Sequence, residues 1–82
     1  MMGFFLLSIK MEKIYESRII DEFEGWDGDK TYELDNGSIW KLASYKYQYS
    51  YKYRPKAVIY RNNGSYYLEV EGMGEALRVY RL

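Results

Sequence analysis

The sequence predicts an all-β fold, a small SH3-like barrel of about six short antiparallel strands with a short N-terminal extension. An OB-like barrel is the second choice. Three observations carry this. Apolar and polar residues alternate with period 2 along much of the chain, as strands require. Two Asn-Gly pairs, Asn36-Gly37 and Asn63-Gly64, punctuate those runs. From Tyr15 onward no segment carries an apolar stripe of helical period.

The elements follow in order. Residues 1–13 read as an extension, mobile or docked, ahead of a single all-β domain at 14–82. The apolar run Phe4 to Leu7 is too short to span a bilayer, and it lacks the flanks of a signal peptide. A turn of helix is tolerable around Ile9 to Arg18, but the alternation Tyr15, Ser17, Ile19, Asp21, Phe23 suits a strand. Gly25 to Asp29, "GWDGD", reads as a turn. "TYEL" then puts Tyr32 and Leu34 on one face. The two Asn-Gly pairs read as two-residue type I′ hairpin tips, because both central residues of that turn need positive φ. "SIWKL" returns from the first and offers Trp40 and Leu42. "AVIYR" enters the second, and "SYYLEV" leaves it with Tyr66, Leu68 and Val70 on one face. "GMGE" is a further turn, and "ALRVYRL" offers Leu77 and Val79 to the core.

The most unusual segment is "YKYQYSYKYRP". Tyr45, Tyr47, Tyr49, Tyr51 and Tyr53 occupy every second position, and Lys46, Lys52 and Arg54 alternate with them. In a strand the rings share one face and the bases the other. Two readings compete. In the favoured one the ladder is an aromatic wall of the core, with Tyr47, Tyr49 and Tyr51 mostly buried and the bases exposed. An 82-residue chain has a thin core, and aromatics are 20% of its residues. In the other, the rings are a stacking platform for single-stranded nucleic acid. If the ladder faces inward, a bulge near Ala43-Ser44 must reconcile it with the even-numbered Trp40 and Leu42. Pro55 marks a strand end. The candidate contact residues are therefore the five tyrosines with Lys46, Lys52 and Arg54. Trp26, between Gly25 and Asp27-Gly28, is a core residue that becomes a contact candidate if exposed.

Composition narrows the chemistry. There is no Cys and no His, so thiolate chemistry, the usual neutral-pH base and the commonest metal ligand are absent. No catalytic, cofactor-binding or metal-binding residue is assigned, and the expected role is a non-enzymatic interaction module. Asp27 and Asp29 with Glu24 and Glu33 could approach a hard cation, but an Asx-rich turn explains them more simply. A glycosidase-like pairing of Glu69 with Glu71 has no pocket signal behind it. Asn36-Gly-Ser38 and Asn63-Gly-Ser65 match the glycosylation sequon but read better as hairpins. A cysteine-free chain fits the cytoplasm.

Charge is balanced, 12 bases to 12 acids, but unevenly placed. Glu12 to Asp35 holds nine acids and three bases, whereas Trp40 to Tyr60 holds five bases and no acid. Acidic and basic strands lying side by side explain this better than a polyanion site. Strand edges and excess aromatics make a homodimer the first partner to consider, with nucleic acid less favoured.

The frame "SRI…F.GW.GD…L.NG..W" from Ser17 to Trp40, followed by "Y.Y.Y.YRP", "IYR..G.YY", "V.G" and a terminal "RL", resembles a group of small prokaryotic proteins of uncharacterised role. The resemblance covers about residues 14–82. It implies a short all-β barrel and no catalytic residues. The chain departs from that frame at Ser38, where Gln is expected, and at Glu22, where Gly is expected.

Overall fold

The computed structural model describes residues 11–82, and the first ten lie outside those described. Eight strands follow one another: β1 (Glu12–Arg18), β2 (Glu22–Asp27), β3 (Thr31–Glu33), β4 (Ile39–Leu42), β5 (Tyr47–Tyr53), β6 (Lys56–Asn62), β7 (Ser65–Val70) and β8 (Ala76–Arg81). The fold is all-β, with no helix among the described residues. The strands number eight rather than about six. The segment from Tyr15 to Phe23, expected as one strand, divides at Ile19 to Asp21 into β1 and β2, and the break expected at Pro55 separates β5 from β6. β1 starts at Glu12, inside the expected extension, because Glu12 and Lys13 already pair with Arg61 and Tyr60.

All pairings are antiparallel. Six strands form one sheet in the order β1-β6-β7-β8-β4-β3, and β2 and β5 form a separate two-stranded ribbon. The two do not close into one barrel. The acidic β2 lies beside β5, but β5 itself holds one base, Lys52, which faces Phe23, and no ion pair among the described residues joins the two strands.

Alternation predicts most of the core. Tyr32, Leu34, Trp40, Leu42, Leu68, Val70 and Val79 are buried, and Leu77 and Tyr66 pack against them. Ile59, Phe23 and Trp26 complete the same cluster. Met73 is buried beside the "GMGE" turn, where its N–H donates to the Val70 carbonyl.

The two Asn-Gly tips differ. Between β6 and β7, Asn63 and Gly64 have φ of 52° and 82°, and Asn62 faces Ser65. This is the expected two-residue tip with positive φ at both centres. Between β3 and β4 only Gly37 has positive φ. There the Gly37 N–H donates to Leu34 O, and the Leu34 N–H donates to Ser38 O. The loop is thus a three-residue turn with a glycine bulge, not a type I′ tip. The side chains explain the preference. Asn36 Oδ1 accepts from the Ser38 N–H at 2.9 Å and from Ser38 Oγ at 2.6 Å. Ser38 Oγ in turn accepts from the buried Trp40 Nε1 at 2.8 Å. The three-residue loop satisfies an indole N–H that would otherwise be orphaned in the core.

"GWDGD" is not wholly a turn. β2 continues through Gly25 and Trp26 to Asp27, and the turn runs from Asp27 to Lys30. Gly25 has φ of 100°, and a Cβ there would overlap the Gln48 carbonyl oxygen. Its left-handed backbone shifts the phase of β2, so that Phe23 and Trp26, three apart, both reach the core.

Candidate interaction surface

The ribbon sets the direction of the ladder. In the β2–β5 register, Lys52 faces Phe23 and Gln48 faces Trp26. The even-numbered residues of β5 therefore share the inward side with the two buried aromatics. The odd-numbered tyrosines point outward, opposite Glu22, Gly25 and Asp27. Tyr45, Tyr47, Tyr49, Tyr51 and Tyr53 are each between 51% and 70% exposed.

This overturns the expected burial of Tyr47, Tyr49 and Tyr51. The core does not need them. Phe23, Trp26 and Tyr32 form one aromatic triangle, with ring centroids 5.5 to 5.8 Å apart. Trp40 packs edge-on against Tyr15 and against Tyr66. Since the ladder is not inward, no bulge at Ala43-Ser44 reconciles it with Trp40. The chain instead bends there between β4 and β5. Trp26 is fully buried and cannot touch a partner. Its Nε1 has no hydrogen-bond partner among the described residues.

The bases are half-buried rather than exposed, and Lys46 and Arg54 are engaged by carboxylates. Lys46 Nζ lies 3.1 Å from Glu75 Oε2. Lys52 Nζ reaches across Gly72, where a Cβ would sit 2.8 Å from it. Arg54, at φ 47°, is a clamp at the β5–β6 break. Its guanidinium donates to Ile20 O at 2.9 Å and to Asp35 Oδ2 at 2.8 Å, while its own carbonyl accepts from Arg18 Nη1. On the outward face the nearest charge is acidic. The Tyr51 hydroxyl is pushed above its ordinary value, first by desolvation among its neighbours and then by the Glu22 carboxylate.

No protein-family model, curated protein or solved structure matches this chain.

Beside the ladder lies a feature that alternation does not reveal. β2 and β3 follow each other through the Asp27–Lys30 turn, yet they do not pair. They are pinned at two points, by Lys30 N–H to Asp27 O and by Ile20 N–H to Glu33 O. Between the pins one side holds Asp21 to Trp26, and the other holds only Thr31 and Tyr32. Four surplus residues force β2 to arch away from β3 and onto β5. The Tyr32 hydroxyl braces the arch, accepting from the Asp27 N–H at 2.7 Å and donating to Gly25 O at 3.1 Å. Burial pushes its ionisation upward. Under the rest of the arch opens a groove of about 580 Å³, floored by Phe23 and Tyr32 and bordered by Tyr53.

The other constellations are spent on structure. Asp27 Oδ1 accepts from the Asp29 N–H in an Asx turn. Glu69 accepts from the Tyr60 hydroxyl, and Glu71 from the Lys56 N–H. Among the described residues no group of three potential ligands could hold a metal ion, and no helix is long and apolar enough to cross a membrane.

Proposed function

We propose that this chain is a small, non-enzymatic interaction module, and that the outward tyrosine face of the β2–β5 ribbon is its contact surface. One observation carries the reading: Tyr47, Tyr49, Tyr51 and Tyr53 lie on one face of the ribbon with Tyr45 just before them, all more than half exposed. At about 200 Å² per tyrosine, their exposure leaves roughly 600 Å² of aromatic surface. That matches the largest patches that ordinary monomers show, and such patches are often functional. It falls somewhat short of the ~800 Å² per partner of a standard interface, which the flanking β2 residues can supply.

A second copy of the chain is the simplest partner, since a row of aromatic rings is self-complementary. Single-stranded nucleic acid is the runner-up, for the rings themselves suit stacking. The placement of Lys46, Lys52 and Arg54 away from the rings, with Lys46 and Arg54 already paired to carboxylates, weighs against it, as does Glu22 beside the rings. We read the overall build as related to an SH3-like barrel that is left unclosed, with the β2–β5 ribbon unpaired to the larger sheet on both of its edges. We place the chain in the cytoplasm, and beside the small prokaryotic all-β proteins that its sequence frame resembles.

Sedimentation of the full chain from micromolar to millimolar concentration tests this. Wild type should associate as concentration rises, and the Tyr47→Ser/Tyr49→Ser/Tyr51→Ser variant should stay monomeric. A labelled oligothymidine should show no salt-dependent binding to either. Salt-dependent oligothymidine binding that the variant loses would move the assignment to nucleic acid.

A further inference from the structure

The groove beneath the β2 arch has both walls made of strand edges. β2 is paired only with β5, and β3 only with β4. Along an antiparallel strand, main-chain groups point alternately to the two sides. Leu34 and its Ser38 partner fix the phase: Tyr32 and Leu34 turn their groups toward β4. Thr31 and Glu33 therefore turn theirs toward the groove. The Ile20 N–H occupies Glu33 O. The Thr31 N–H and C=O and the Glu33 N–H have no main-chain partner among the described residues. An open row of such groups is a template for an added strand.

The charge of the walls is one-sided. Asp21, Glu22, Glu24 and Glu33 line the groove against Lys30 alone. Lys30 Nζ is held by Glu24 at 2.7 Å, and that contact raises its affinity for its proton. The remaining carboxylates are too dispersed to share one metal ion. They suit positive charge that is itself spread out, every second residue along an extended chain. Tyr53 adds a ring against which a guanidinium can stack.

We propose that the groove binds an extended peptide segment carrying alternate Arg or Lys side chains, which pairs with the β3 edge and fills the open seam. Strand addition supplies main-chain hydrogen bonds, and the carboxylates select for basic residues. The groove shares Glu22 and Tyr53 with the border of the tyrosine face, but the proposal does not rest on that face as a contact surface.

The test uses two fluorescein-labelled nonapeptides, one alternating Thr with Arg and one alternating Thr with Glu. They are titrated into the full chain at low salt and followed by anisotropy. The Arg peptide should bind roughly tenfold or more tightly than the Glu peptide. The Glu22→Gln/Glu33→Gln variant should melt like wild type and lose about fivefold or more of that affinity. Hydrogen exchange of the Thr31 and Glu33 amides should slow when the Arg peptide is bound, because strand pairing caps those groups. The tyrosine triple-serine variant should bind the Arg peptide as wild type does. Equal affinity for the two peptides would overturn the proposal. So would Arg-peptide binding that leaves Thr31 and Glu33 exchange unchanged. If that binding also vanished in the triple-serine variant, the tyrosine face would hold the peptide instead of the groove.

Discussion

In the six-stranded sheet, Trp40 is sealed from water and its indole N–H is relayed through Ser38 to Asn36. In the ribbon, Trp26 is equally sealed but its N–H is orphaned, and four tyrosines of the paired strand, with Tyr45 just before it, stand in water. The larger sheet has its buried indole donor satisfied and its core face covered, and its open main-chain groups lie at the β3 edge beside the groove. The ribbon carries exposed aromatic surface, an unpartnered donor and a free edge. Features that add nothing to stability are concentrated in the smaller region, which is where a contact function is expected to sit.

Mutation can break this contrast or sharpen it. The largest effect should come from the sheet. Trp40→Ala should cost about 3–5 kcal/mol in urea unfolding, the range for large aromatics truncated in a core. Next is Gly25→Ala, which tests whether the arch is obligatory. A non-glycine residue at that positive φ costs about 1–3 kcal/mol before any clash. The overlap with the Gln48 carbonyl adds to it, and an unchanged melt would show that β2 can straighten.

Tyr32→Phe removes the brace and leaves the Asp27 N–H unpaired, at about 1–3 kcal/mol near neutral pH. It also has a pH signature. The folded state raises the Tyr32 ionisation above its ordinary value of 10.0. Its stabilisation is therefore complete below about pH 10 and is lost as pH rises through the raised value. Wild type should lose stability over that alkaline window, and Tyr32→Phe should lose less, as followed by urea midpoints from pH 8 to 11.

The two tryptophans give a smaller, paired test. Trp40→Phe deletes a satisfied hydrogen bond, whereas Trp26→Phe deletes an orphaned donor. The first should be more destabilising by about 1 kcal/mol. Equal losses would mean that Trp26 Nε1 has a partner after all.

How far the sequence disclosed this follows from what period 2 can encode. It says which residues share a face, so Leu68 with Val70 and Tyr32 with Leu34 were legible. It does not say which face meets the core. For the ladder that choice depended on Phe23 and Trp26 already filling the space, and on Gly25 bringing both inward. The tyrosine hydroxyls were the available hint, because a dry core prefers aliphatic side chains. Asn63-Gly64 was legible because both φ angles come from its own residues. Asn36-Gly37 was not, since Ser38 and Trp40 decided its form. The groove was hidden altogether. It arises from four surplus residues between two main-chain pins; the Asp27-Gly28-Asp29 turn behind one was legible, but the Ile20–Glu33 pin has no sequence signature.

The central claim is that the tyrosine ladder is surface and not core. Urea unfolding of Tyr47→Ala, Tyr49→Ala and Tyr51→Ala tests it most directly. Each should stay within about 0.5 kcal/mol of wild type, as surface substitutions do. A loss of about 3–5 kcal/mol at Tyr49, the cost of truncating a buried aromatic, would contradict it and return the ladder to the core.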